Sequence, residues 1–461
     1  MATSPLGSSF RDPSGFLYLE GGTLFRQVNP SYSTHYELLM RSGLYEALVA
    51  REWLVSHEEV PPIPGVAHRI LKPEVVPYVS YPYEWCFSQL KDAALLTLAL
   101  QIESLSFGMA LKDASAYNVQ FVGTRPVFID TLSFERYEEG APWVAYRQFC
   151  QHFLGPLALM THRDLRLGRL LTRFIDGVPL DLVSQLLPRR THARYGLLAH
   201  IHLHARSQQR HRDDARIGEP LKIPELSKAR LIALMESLRA AVQGCRLRER
   251  RTEWSGYYDD TNYSEEAMSA KEELVTQLVE ETANPADLTH DLGANTGRFS
   301  RLVAGDHRYV VSHDIDEGAI ERNYLQARRM KHRNLLPLVL DLANPSPAIG
   351  WALEERPSAL ERMSRGTVIA LALVHHLAIS NNVPLARLAA LCARLANTLI
   401  IEFVPKNDTQ VRRLLATRED IFPDYTEASF ETAFSRLFEI TRREAVPGTV
   451  RTLFAMRRRN A

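Results

Sequence analysis

Residues 289–297 read Thr-His-Asp-Leu-Gly-Ala-Asn-Thr-Gly and place Asp291, Gly293 and Gly297 in the pattern D-x-G-x-x-x-G. Glycines at such a turn let backbone N–H groups approach a ligand, because no Cβ stands in the way. An acid at the entrance to the turn can meet a polar or cationic ligand group. A glycine pattern alone says little, and the acids that follow add to it. Asp314, in His-Asp-Ile-Asp, comes 17 positions after Gly297, and Asp341 stands in Val-Leu-Asp-Leu. An acid about 20 residues beyond a glycine turn is the usual means by which a Rossmann-like sheet holds a ribose diol. Farther on, His375 and His376 in Leu-Val-His-His-Leu, and Glu402 in Ile-Ile-Glu-Phe, offer groups for proton transfer or acceptor orientation. An imidazole titrates near pH 6.5, roughly where a general base is wanted.

Five short apolar runs must position these residues. They are 286–290 before Asp291, 309–313 before Asp314, 338–340 before Asp341, 367–374 before His375, and 397–401 before Glu402. Each ends in a polar group, and segments of helical spacing lie between them. A helix over 265–281 leads into the first run. This alternation predicts an α/β fold with a parallel, Rossmann-like sheet and a ligand across its C-terminal strand ends.

The ordered series resembles the class I S-adenosylmethionine (SAM)-dependent methyltransferases over roughly the last 200 residues. The stretch from Trp254 onward is also similar to bacterial nodulation-related methyltransferase-like proteins. The resemblance implies SAM as cofactor, with Asp291 beside the methionine moiety and within reach of its ammonium. Gly293, Asn295 and Gly297 would form the close-approach turn; many members have glycine where this chain has Asn295. Asp314 would accept both ribose hydroxyls and Asp341 the adenine N6 amine. The acceptor would lie beside His375, His376 and Glu402, with His375 the first choice for a base. Each residue has a plainer role open to it. Asp291 can cap the next helix, and Asp341 can simply start the Asn344-Pro-Ser-Pro turn. Asp316 suits a cap for the helix beginning at Glu317. The histidines can be packing residues, and Glu402 a surface carboxylate near Lys406.

The first half reads differently. A hairpin is expected around Gly21-Gly22, and helices over about 34–55, 89–110 and much of 137–205. Lys112-Asp113-Ala-Ser-Ala-Tyr-Asn118 precedes two apolar runs around Gly123, the second ending in Asp130. The spacing of Asp113, Asn118 and Asp130 resembles the catalytic segment of protein-kinase-like and aminoglycoside-phosphotransferase-like folds, with Asp113 as base and the other two as Mg²⁺ ligands. Leu111 replaces the loop histidine, Thr131-Leu132 replaces Phe-Gly, and no glycine-rich loop precedes the segment. Arg26 is the nearest stand-in for the phosphate-pairing lysine. A degenerate kinase-like scaffold, an unrelated fold and retained nucleotide chemistry all remain open here.

At 461 residues the chain is long enough for two or three domains. We expect an N-terminal α+β, kinase-like domain over 1–215, a helical linker and aromatic segment over 216–260, and a methyltransferase domain over 261–461. The polar stretch 205–225, broken by Gly218, Pro220 and Pro224, marks the seam. The run Arg246 to Arg251 reads as a solvated connector or a nucleic-acid patch. The aromatics from Trp254 to Tyr263 either pack the seam or cover the cofactor. A formal charge of +1 does not favour nucleic acid or a membrane surface. Four scattered cysteines show neither metal-ligand nor disulfide spacing and fit a cytoplasmic protein. No basic-then-apolar leader begins the sequence, and no run reaches the roughly 18 apolar residues of a membrane helix. The expectation is a SAM-dependent methyltransferase acting on a small-molecule or sugar-like metabolite. The alternatives are a SAM-binding regulatory protein whose kinase-like half recognises a ligand or partner, and an enzyme that uses SAM without methyl transfer.

Overall fold

The computed structural model describes residues 5–61, 66–207, 225–247, 264–363, 365–416 and 419–459. The chain divides into two compact units. One comprises Met1–Glu249 with Ala348–Pro357, and the other Arg250–Pro347 with Ser358–Ala461. The division differs from the boundaries expected at 215 and 260. The helix Lys228–Gly244 belongs to the first unit, where Leu231, Met235, Leu238 and Val242 are buried at helical spacing. The second unit is interrupted by ten residues of its own chain that belong to the first. The seam at 205–225 and the run Arg246 to Arg251 fall outside the described residues except at their ends, and the aromatic segment Trp254 to Tyr263 falls outside them entirely.

In the first unit, β1 (Gly15–Glu20) and β2 (Thr23–Val28) form the expected hairpin, closed by Gly21 and Gly22 at φ 56° and 80°. With β3 (His57–Val60) and β4 (Arg69–Pro73) they make an antiparallel sheet of order β1-β2-β4-β3. Helix α1 (Ser33–Arg41) lays Tyr36 against Val28, Leu71 and Leu132. The long α2 (Phe87–Ser106) is buried on most of its circumference and runs into β5 (Met109–Leu111). The hairpin β6 (Val119–Val122) and β7 (Arg125–Phe128) follows, and then β8 (Phe134–Arg136), which pairs with β5.

The second unit carries one seven-stranded sheet of order β11-β10-β9-β12-β13-β15-β14. Its strands are β9 (Thr289–Leu292), β10 (Val310–Asp314), β11 (Leu335–Val339), β12 (Gly366–Ala370) and β13 (Ala396–Phe403), then β14 (Phe438–Ala445) and β15 (Thr452–Arg458). The first five are mutually parallel, as the sequence pattern predicts. The closing antiparallel pair was not foreseen: β15 inserts beside β13 and β14 takes the edge. Strand order reverses at β9/β12, and this switch point is where an open α/β sheet leaves a crevice at its carboxyl ends.

Six helices matter for the crevice. Helix α3 (Glu265–Thr282) is capped by the Ser264 hydroxyl, which accepts from Ala267 N–H. It buries Ala267, Met268, Lys271, Val275, Leu278 and Val279, an amphipathic stripe with one lysine in it. Helices α4 (Arg298–Val303), α5 (Glu317–Arg329) and α6 (Leu385–Leu395) serve as crossovers. Helix α7 (Thr409–Leu415) stands after β13, and α8 (Glu427–Ser435) buries Phe430 and Phe434 against Phe403, Phe438 and Phe454.

Candidate active site

The turn between β9 and α4 is built by three left-handed residues. Gly293 has φ 75°, Asn295 51° and Gly297 74°. Asparagine is one of the few non-glycine residues that visits this region readily, which accounts for its fitting between the two glycines. Its Oδ1 accepts from Thr296 N–H at 2.8 Å and so closes the turn locally. A Cβ on Gly293 would come 3.2 Å from Leu373 Cδ1 across the crevice. A Cβ on Gly297 would meet Asn323 Oδ1 at 2.1 Å, so packing on α5 explains that glycine.

Three acids follow three adjacent strands. Asp291, in β9, is 2% exposed and accepts from Ser300 Oγ at 2.5 Å. Asp314, the last residue of β10, accepts from Asn295 N–H at 2.7 Å and Asp316 N–H at 2.9 Å. Burial pushes both carboxyls up to about 6, against the effect of those hydrogen bonds. Asp341, two residues beyond β11, is half-buried and accepts from Ala343 N–H, so it starts the following turn as well as facing the crevice. Asp316 caps α5 through Gly318 and Ala319 N–H, as its place before Glu317 suggested.

A cavity of about 450 Å³ opens at these strand ends, within the roughly 300–1,000 Å³ of small-molecule sites. Asp291, Gly293, Asn295, Asp314, Asp341 and His376 line it; Gly297, His375 and Glu402 do not. The order of the two histidines is therefore reversed from expectation. Strand β12 stops at Ala370, because Ala372 turns the chain at φ 51°, and the chain enters a wide helical turn at His376. His375 consequently points inward, fully buried, with neither ring nitrogen hydrogen-bonded among the described residues. His376 faces the cavity, where burial and then the Arg451 charge push it down to about 4.

Glu402 is not a surface carboxylate. Lys406 pairs instead with Asp420 at 2.8 Å, while Glu402 is completely buried and 2.7 Å from Lys271 Nζ. Lys271 and Arg451 are two wall residues that sequence reasoning missed. Arg451, 1% exposed, is gripped by Asp408 through Nε at 2.8 Å and through its Nη2 at 3.2 Å. Asp408 also caps α7, which supplies Leu414 to the wall. The only sequence signal for Lys271 was its place on the apolar stripe of α3. Arg451 had none, because β15 itself was not foreseen.

Across 98% of its length, the chain is 35% identical to the nodulation protein NoeA of Rhizobium meliloti strain 1021, and it covers 96% of that protein. The chain belongs to the NoeA family. No protein-family model matches it. Solved structures similar to part of this NoeA-family chain include the N-methyltransferase NodS of Bradyrhizobium japonicum WM9. The likeness covers 43% of this chain and 99% of NodS at 13% identity, with a TM-score of 0.32. Another is the magnesium protoporphyrin IX methyltransferase ChlM of Synechocystis PCC 6803 with bound S-adenosylhomocysteine (SAH), over 45% and 93% at 19% identity and a TM-score of 0.32. The strand order and the glycine turn give the second unit of this NoeA-family chain the class I SAM-dependent methyltransferase fold. Among the described residues no helix is long and apolar enough to cross a membrane, and no cluster of metal-ligating side chains is present.

Proposed function

We propose that the second unit binds SAM and transfers its methyl group to a small-molecule acceptor. One observation carries this reading: Asp291, Asp314 and Asp341, from three neighbouring strands, converge on one cavity at the switch point of the sheet. The residues suit the cofactor. Asp314 presents a carboxylate to a diol, and Asp341 an acceptor to an exocyclic amine. Gly293 keeps clear the space that a Cβ would fill beside Leu373. Asp291 and Lys271, an acid and a base buried on the same wall, match the ammonium and carboxylate of an amino-acid tail.

SAM supplies an activated methyl on a sulfonium, so the protein has to align the acceptor, keep water out and, for some acceptors, take a proton. The acceptor side of the cavity is walled by Leu373, Leu377 and Leu414, with His376, Ser380 and Asn381 as its polar groups. His376 is neutral at pH 7 and can accept a hydrogen bond from the incoming nucleophile. The near-zero net charge supports a small acceptor over nucleic acid. The burial of all four cysteines, which show no disulfide spacing in the sequence, supports a cytoplasmic setting.

The first unit, in this reading, is a kinase-like scaffold that no longer transfers phosphate and serves recognition. Asp113, Asn118 and Asp130 share one polar cluster with Arg26 inside it. The test uses the full chain: titration calorimetry with SAM and SAH, then mass detection of a methylated product in a metabolite extract. Saturable binding with SAM-dependent product is expected. Absence of binding at millimolar SAH would remove the reading.

A further inference from the structure

Glu402 is the least exposed carboxylate near the cavity, and it does not touch the cavity. It touches what does. Its Oε2 accepts from Lys271 Nζ at 2.7 Å and from the Ala372 N–H at 2.7 Å, and its Oε1 lies 3.8 Å from Arg451 Nη1. Lys271, Ala372 and Arg451 come from α3, from the turn after β12 and from the loop before β15, and all three line the cavity. One carboxylate thus ties together three segments that are distant in sequence.

The tie is chemically demanding. A carboxylate and an ammonium taken fully out of water each lose their hydration, and their mutual attraction does little more than offset that loss, so such a pair is weak as a source of stability. Ala372 is held at φ 51°, a left-handed conformation that a non-glycine residue keeps only where its surroundings hold it there. Both features stand at the end of the crevice where Asp291 lies. Lys271 faces Glu402 from β13, Asp291 from β9, Arg451 from the loop before β15, and the Phe299 ring of α4 at 5.2 Å.

We propose that Glu402 is a positioning residue: it fixes the Lys271 ammonium and the Ala372 backbone against the amino-acid tail of the bound cofactor, without touching the ligand itself. The inference rests on the SAM-binding reading above. Burial alone draws Lys271 towards its neutral form, and the adjoining Glu402 opposes this. Replacing Glu402 by an uncharged amide leaves a desolvated lysine with a weaker hold on its proton and its position. The adenosine end, over Asp314 and Asp341, is left as it was.

The experiment measures affinity for two ligands with the full chain. SAH carries the amino-acid tail; 5′-methylthioadenosine has the same nucleoside without it. Wild type, Glu402→Gln, Glu402→Asp, Lys271→Met and the double variant Glu402→Gln/Lys271→Met are compared by calorimetry, with melting curves for each. Glu402→Gln should weaken SAH at least about tenfold, the worth of one charge-assisted hydrogen bond, and leave 5′-methylthioadenosine within about twofold. The double variant should bind SAH no worse than Lys271→Met alone, since the carboxylate acts through the lysine. Glu402→Asp, which keeps the charge and withdraws it by one methylene, should fall between. If Glu402→Gln does not fold, the double variant, which removes both charges together, and Glu402→Asp carry the same comparison. Equal losses for both ligands, unchanged SAH affinity, or losses that multiply in the double variant would each overturn the proposal. A wild-type protein that binds neither ligand would instead overturn the SAM-binding reading.

Discussion

The Arg26 guanidinium lies 2.7 Å from Asp130 Oδ1, inside the cluster where a metal-binding acid was expected. The same guanidinium nitrogen reaches Asp12 at 3.1 Å. Ser133 and the Leu132 N–H also donate to Asp130, and Asp113 accepts from Ser115 N–H and Gln148. Arg26 Nε is left without a hydrogen-bond partner among the described residues, but its guanidinium puts one positive charge against Asp130, where a divalent ion would otherwise have to sit.

Mg-ATP should therefore leave the melting temperature of the full chain unchanged. Arg26→Ala should lower stability by about 3 kcal/mol, the general cost of stripping one partner from a largely buried ion pair. The cause is specific: Asp12 and Asp130 would lose the cation they share, and Asp130 would still face Asp113, whose carboxyl burial and Asp130 already push up. A Mg-ATP shift in the wild type that disappears in Asp130→Asn would refute the non-catalytic reading of this unit.

Asp314→Ala should weaken SAH by ~1.5–3 kcal/mol, the range for lost hydrogen bonds to a charged group. The variant also strands the N–H groups of Asn295 and Asp316, so some loss of melting temperature should accompany it. Calorimetry at matched temperature separates the two effects. An unchanged affinity would rule out the ribose role.

Cofactor binding should depend on pH with a definite sign. Asp291 and Asp314 stand at about 6 in the free protein. Both must be ionised to act as full acceptors, so affinity should hold above pH 6 and fall as pH drops through it. Binding below that pH should release protons. Calorimetry near pH 5.5 in buffers of different ionisation heat detects them; an enthalpy that does not follow the buffer would count against this account.

The two histidines after β12 should separate cleanly. His376→Ala should lower turnover on the order of 10²-fold for an acceptor that needs deprotonation, with SAM affinity retained. His375→Ala should leave turnover much closer to wild type and reduce stability, because the ring fills a buried space. Loss of turnover in His375→Ala at full thermal stability would restore it as the better catalytic candidate.

Acid should also weaken one contribution to the second unit's stability. His290 Nδ1 and His313 Nε2 lie 3.1 Å apart beneath the sheet; burial pushes His290 down to about 4 and His313 well below its ordinary value. The folded state therefore binds fewer protons than the unfolded one below about pH 6.5. Their contribution to stability is whole above that pH and is lost as pH falls towards 4. Asp291 and Asp314, raised to about 6, work in the opposite direction over this range, so the readout is the comparison: urea denaturation at pH 7.5 and 5 should show His290→Gln losing less stability on acidification than wild type.

Much of the site was legible because its signals are local. The turn from Asp291 to Gly297 needs left-handed backbone at fixed offsets, and glycine and asparagine report that need directly. Asp314 and Asp341 follow apolar runs whose length announces a strand. What escaped was non-local. Lys271 reads as one more surface lysine until Glu402, 131 positions away, is brought to it by the sheet. Arg451 sits before a strand whose partner is fixed only by the closing of the sheet. The misordering of His375 and His376 has a single-residue cause: Ala372 adopts φ 51°, which no rule for alanine anticipates, and the strand ends four residues earlier than its apolar run.

The ten residues Ala348–Pro357 leave the methyltransferase sheet and belong to the first unit, where Glu355 pairs with Arg11 and the Arg356 guanidinium lies over the Tyr117 ring at 4.7 Å. In genetic terms the chain is not a cassette followed by a cassette. A gene cut at the seam near 250 yields a fragment that contains every residue of the cavity, yet carries this strap without Arg11 or Tyr117. A shuffled chimera would meet the same mismatch from the other side, so an exchange of halves has to carry this strap with the first unit.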